Sequence, residues 1–140
     1  MDAFDADVLI YAAVDGHPLG RRVRALFPPG PMNSTDAPAG IGSVLLLPEV
    51  LAKPRRNNAT DELADLNALL GRLDLLPLDR STAELATALA TSYRLRAADA
   101  VHLATAVAGG ADRFLTNNRS DFPTTIVEIS VVYPAGLPEG

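Results

Sequence analysis

The sequence predicts an α/β fold, a short parallel sheet of four to five strands sandwiched between helices as a three-layer α/β/α domain. Three observations predict it. Short apolar runs of strand length alternate with amphipathic stretches at helical spacing. The runs are near-continuous in apolar residues, as in strands buried on both faces. Clusters such as Pro28-Pro29-Gly30 and Gly109-Gly110 punctuate the alternation. The 140 residues suit one domain with a real core, read here as residues 1–133 followed by a loose tail at 134–140.

The elements follow in order. Residues 3–9 read as a buried strand running into a helix at 10–14. A helix at 17–27 is stopped by the Pro-Pro-Gly cluster, and residues 31–40, rich in Pro, Asn, Ser and Gly, form a loop. A strand at 41–44 leads into a helix at 45–53, with Pro48 tolerable in its first turn and Pro54 stopping it. Residues 60–70 make an amphipathic helix with Leu63, Leu66, Leu69 and Leu70 as its apolar stripe and Thr60 or Asp61 as its cap. A strand at 73–78 follows, then a helix to about residue 92 opened by a capping box of Ser81 and Glu84. A helix at 97–108 ends at the glycine pair, and strands at 113–116 and 126–132 complete the sheet.

Composition removes several classes. The chain has no cysteine, so disulfides and thiolate metal sites are excluded. It opens without a basic leader and carries no apolar run of membrane-spanning length, so a cytoplasmic protein without a membrane partner is expected. The net charge of −5 opposes nucleic-acid binding. The cations nevertheless gather locally, as Arg21, Arg22 and Arg24, as Lys53, Arg55 and Arg56, as Arg94 and Arg96, and as Arg113 and Arg119. All but Lys53 are arginine, which grips phosphate through two donors at once. Taken singly, each cluster also reads as an ordinary solvated face.

The acids carry more information. Asp5 and Asp7 in FDADVLIY, Glu49 in LLLPEVL and Asp99 in AADAVHLA each sit in apolar surroundings, which a carboxylate avoids unless paired or holding a cation. In parallel α/β folds the site lies beyond the carboxyl ends of the strands. Asp5, Glu49, Asp99 and the pair Asn117-Asn118 all fall near such ends or at the helix starts that follow them. Clustered carboxylates suit a hard divalent cation, magnesium or manganese.

FDADVLIYA, LLLPEVL, AADAVHLATA and FLTNNRSDF, in this order, resemble the PIN-domain family, most nearly the VapC-type ribonuclease toxins. The resemblance spans residues 2 to about 132 and implies a PIN-like nuclease domain. It implies that Asp5, Glu49, Asp99 and Asn118 are catalytic, with Asp5 and Asp99 on the metal. Asp7, Thr116, Asn117 and Asp121 would support them, Asp121 substituting for the acid that the family places where Asn117 or Asn118 stands. Arg55, Arg96 and Arg119 would hold RNA, with the loop at 33–40 as a further contact. It further implies hydrolysis of RNA phosphodiesters by metal-activated water, leaving a 5′-phosphate, in a homodimer restrained by a cognate antitoxin.

Plainer readings stand beside these. Asp5 caps a helix well, Asp7, Glu49 and Asp99 suit first turns, and Asn117 and Asn118 suit a turn. His102, on the helical face of Asp99, reads as a core-edge histidine or a hydrogen-bond partner before a ligand. A non-cutting PIN-like scaffold for RNA or protein is the alternative function. A haloacid-dehalogenase-like phosphatase is weaker still, because the single lysine, Lys53, precedes Pro54 and no late acidic pair exists.

Overall fold

A computed structural model describes residues 1–30 and 35–140. The strands are β1 (Asp2–Phe4), β2 (Gly40–Ser43), β3 (Leu73–Leu76), β4 (Arg113–Leu115) and β5 (Ser130–Val132). They form one five-stranded sheet in the order β3-β2-β1-β4-β5, with every neighbouring pair parallel. The helices are α1 (Ala6–Ala12), α2 (Pro18–Arg24), α3 (Leu46–Arg56), α4 (Thr60–Leu70), α5 (Arg80–Tyr93) and α6 (Ala97–Ala108).

Strand periodicity divides the core in two. Phe4 and Leu115 point to one face, where they join Val8, Leu9, Val23, Val50, Leu66 and Leu69 from α1 to α4. Their neighbours Ala3 and Phe114 point to the other, where Ala86, Leu89, Val101 and Leu103 of α5 and α6 cover them. Both faces of the central strands are therefore buried, which is why those strands read as unbroken apolar runs. The three layers expected from the sequence are the layers found.

Several boundaries differ from expectation, each for a local reason. The first strand stops at Phe4, because the Asp5 side chain, on a still extended residue, accepts from the Ala6 N–H and starts α1 there. Pro54 does not stop α3; it lies inside the helix and is buried, and the helix continues to Arg56. The carbonyl freed beneath a proline costs less when packing holds the turn together. Asp79, not Ser81, opens α5, its side chain accepting from the Thr82 N–H at 2.9 Å. Ala59 precedes α4 without any side-chain cap, in place of Thr60 or Asp61. The last strand is shorter than 126–132, with only Ser130–Val132 paired.

The segment from residue 134 is not loose. Pro134–Gly136 forms a short 3-10 turn and Leu137 is 3% exposed within the core facing α1 to α4. The Arg22 guanidinium donates to the carbonyls of Ala135 at 2.9 Å and Leu137 at 2.8 Å, tying this segment to α2. Of the loop at 33–40 proposed for RNA contact, residues 33 and 34 lie outside the described residues, and the rest leads exposed into β2. Among the described residues, no helix is long and apolar enough to cross a membrane.

Candidate active site

The sheet order places β1 between β2 and β4, so the chain builds outward to one side and then returns to build on the other. Such a reversal opens a crevice beyond the carboxyl ends of the two strands that flank it. Asp5 follows β1 and Thr116 follows β4, so both stand in that crevice. Their backbones are in register, with the Asp5 N–H donating to the Leu115 carbonyl at 2.9 Å.

Asp5 is only 5% exposed. One carboxylate oxygen accepts from the Ala6 N–H at 2.8 Å as a helix cap. The other accepts from the Thr116 hydroxyl, also at 2.8 Å. Burial still raises its pKa above the usual aspartate value, and the charge of Glu49 adds to the rise, while His102, Thr116 and Ala6 oppose it. Asp7, in the first turn of α1, accepts from the Asn117 N–H at 3.0 Å through Oδ2. Its Oδ1 is buried with no hydrogen-bond partner. Burial first, and the neighbouring Asp5 charge second, push Asp7 up to about 6.

The turn after β4 is organised from within. Thr116 Oγ1 donates to Asp5 and accepts from the Asn118 N–H at 3.1 Å. The Asn118 side chain donates to Asp121 Oδ2 at 2.9 Å and accepts from the Ser120 hydroxyl and the Asp121 N–H. Asn118 thus folds the loop that presents Asp121. Arg119 in the same loop lies over the Tyr133 ring, 4.2 Å from its centroid. Tyr133 is in turn fixed by donating its hydroxyl to the Phe122 carbonyl at 2.7 Å. Nothing local in the sequence marks this stacking pair.

Asp99 occupies the first turn of α6. Its pKa is raised by burial and then by the charges of Asp5 and Asp121, with a smaller rise from Glu49. Asp5, Asp121 and Glu49 thus lie within electrostatic range of Asp99, and Glu49 within range of Asp5. Glu49, in the first turn of α3, meets the buried His102, Nε2 lying 3.0 Å from Oε1. The other imidazole nitrogen is buried without a partner. Nε2 is thus engaged by Glu49, while Nδ1 is unpartnered but buried.

Hydrogen bonds join Asp5, Thr116, Asn118 and Asp121 in one chain and Asp7 with Asn117 in a second, and Asp99 and Glu49 reach Asp5 through charge. The arginines are more dispersed. Arg96 is the residue before α6, exposed and one turn ahead of Asp99. Arg55 is exposed near the far end of α3, beyond Glu49 by about 9 Å of helix.

The donors are hard oxygens, and burial first and neighbouring negative charge second raise the pKa values of Asp5, Asp7 and Asp99, a situation a divalent cation relieves. Among the described residues, no group of three or more acidic or histidine side chains is placed to hold a metal ion together. Magnesium does not need one, since it binds through one or two carboxylates and keeps several waters. The donor set fits such an open site.

Comparison with known proteins agrees with this fold. The PIN domain family model matches residues 3–125. No curated protein matches the chain. A solved toxin–antitoxin complex from Klebsiella pneumoniae contains a chain 24% identical to this one, with a TM-score of 0.72, over 96% of this chain and 98% of that chain. At that identity the likeness speaks for the fold.

Proposed function

The chain belongs to the PIN domain family, and from that premise we propose that it is a metal-dependent endoribonuclease, the toxin of a toxin–antitoxin pair. The observation that supports the reading is that Asp5, beyond β1 where the sheet reverses, is tied through Thr116 and Asn118 to the turn that carries Asp121, while the charges of Asp5 and Asp121 both act on Asp99 at the start of α6. An RNA-binding scaffold gains nothing from acids there, because they repel phosphate.

Asp5 and Asp99 are the residues that would hold a magnesium or manganese ion, with Asp121 supplying the fourth acidic position and Glu49 completing the rim. When bound, the cation would supply an activated water and offset charge on the scissile phosphate. Thr116 keeps one Asp5 oxygen oriented, and the Asp5 cap on α1 fixes the other. Asp7 and Asn117 lock the β4 turn to α1. Asn118 serves the loop rather than the cation, because its side-chain oxygen is already taken by Ser120 and Asp121.

Arg119, spread on Tyr133, is the best-placed cation for a flanking phosphate, with Arg96 beside α6 and Arg55 along α3 as outer contacts. The similarity to a chain of a toxin–antitoxin complex supports an antitoxin partner. A homodimer in the cytoplasm is the proposed setting, in keeping with a cysteine-free chain.

The test is cleavage of a mixed RNA pool by purified protein with Mg²⁺, Mn²⁺ or EDTA, beside Asp5→Ala and Asp99→Ala. Metal-dependent cutting absent from both variants is expected. Cutting that survives both substitutions would overturn the assignment of the site. Mn²⁺ binding without any cutting would favour the scaffold.

A further inference from the structure

We propose that His102 is a positioning residue that holds Glu49 toward the acidic crevice. The inference rests on the nuclease reading in taking the cation as what Glu49 serves. Glu49 projects from an early turn of α3 and its side chain is 34% exposed, so nothing in its own helix directs it inward. Long carboxylate side chains at such positions sample several rotamers. His102 supplies the missing restraint. Its side chain is 2% exposed, fixed among the packed residues of α6, and its Nε2 lies 3.0 Å from Glu49 Oε1.

The proton assignment follows from what surrounds the ring. A carboxylate only accepts, so the proton in this contact belongs to Nε2. Nδ1 is buried and has no partner. A proton there would be an orphaned donor, whereas a bare nitrogen leaves only an unused lone pair. The arrangement therefore selects one tautomer and spends one Glu49 oxygen on it, leaving Oε2 for the crevice. Asp99 lies one turn before His102 on the same helical face, so the anchor brings Glu49 to the side of α6 that carries Asp99. The charge of Glu49 registers at Asp5 and at Asp99. Partners of this kind, which orient a ligand without touching the ion, commonly change metal affinity by about 10–100-fold when removed.

The experiment uses the full chain with Mn²⁺ as the probe. Calorimetry compares wild type with H102Q, whose amide places a donor near the Nε2 position, and H102L, which has none. H102L is expected to bind Mn²⁺ about 10-fold or more weakly and H102Q within about 3-fold of wild type. The loss in H102L should vanish in an E49A background. Two-dimensional ¹H–¹⁵N spectra of the wild-type imidazole should show a protonated Nε2 and a bare Nδ1. Urea unfolding checks that each variant is folded. If H102L does not fold, H102N replaces it, since its shorter amide stops short of Glu49.

Wild-type affinity in H102L, equal losses in folded H102Q and H102L, a loss that persists without Glu49, or the opposite tautomer would each overturn the proposal. A wild-type protein that binds no Mn²⁺ overturns the metal-dependent reading instead. In that event the imidazole spectrum alone decides whether His102 holds Glu49.

Discussion

Replacing Asp7 with Asn tests the electrostatic account of the site without any assumption about substrate. Asp7 is pushed from 3.8 up to about 6 by burial and by Asp5. A carboxyl whose folded pKa is raised contributes stability that is complete below its unfolded pKa, and this stability disappears as pH rises through the folded value. At pH 7.5 the ionised Asp7 therefore costs about 3 kcal/mol relative to an unperturbed carboxyl. Asn keeps the carbonyl that accepts the Asn117 N–H and cannot ionise. Its amide nitrogen would take the buried Oδ1 position, where no acceptor waits, at a cost of about 1–3 kcal/mol that does not vary with pH. The pH-dependent part is the clean quantity. Linkage makes Asp7→Asn about 2 kcal/mol more favourable at pH 7.5 than at pH 4.5, whatever its absolute effect. Urea unfolding followed by circular dichroism in EDTA at the two pH values measures it. An Asp7→Asn effect that is the same at both values would refute the account, because a carboxyl that ionises freely in the folded protein makes no such difference.

Three further outcomes follow from named contacts. Thr116→Val removes the hydroxyl linking Asp5 Oδ2 to the Asn118 N–H, so RNA cleavage should fall about 10–100-fold while the fold survives, checked by initial rates and urea unfolding. Gly20→Ala should destabilise by more than about 2 kcal/mol or prevent folding, because a Cβ there would lie 2.0 Å from the Tyr11 carbonyl oxygen between α1 and α2; a wild-type melting temperature would show that the helices part easily. Arg113→Met breaks the paired contacts to Asp2 at 2.8 and 2.9 Å across β1 and β4, and since the pair is partly exposed the loss should stay within about 1 kcal/mol and shrink in high salt.

What the sequence made legible was whatever is written in local pattern. The leucine stripe of α4 and the small-residue run of α6 gave both helices their full extents, because amphipathic spacing and a glycine stop act within a few residues. The sequence also put the acids at strand ends and helix starts, because those are local events. Contacts between distant residues were not legible. His102 and Glu49 are 53 positions apart, and neither flank announces the other. Leu137 sits among Pro and Gly and looks like a tail residue, yet its burial is decided by α1 and α2, more than a hundred residues earlier. Pro54 carried a strong local signal that tertiary packing overrode. Sequence order alone could not show that Asn118 closes its loop on Asp121, since that depends on which side chain the loop uses to close itself.

The ambiguity of each acid between helix cap and active-site group is itself informative. Asp5 caps α1, while Asp7, Glu49 and Asp99 stand in first turns of α1, α3 and α6. A helix N-terminus favours negative charge by about 0.3–1 kcal/mol through its unpaired N–H groups and aligned peptide dipoles. Carboxylates gathered in one crevice repel, and the raised pKa values of Asp5, Asp7 and Asp99 record that burial and repulsion exceed this help. Placing the acids where helices begin offsets part of the cost, and under the proposed function a cation would relieve the remainder. On that proposal, capping and catalysis are one arrangement. Moving any of these acids one turn into its helix would lose the compensation while keeping the charge, which confines such a site to helix starts beyond strand ends.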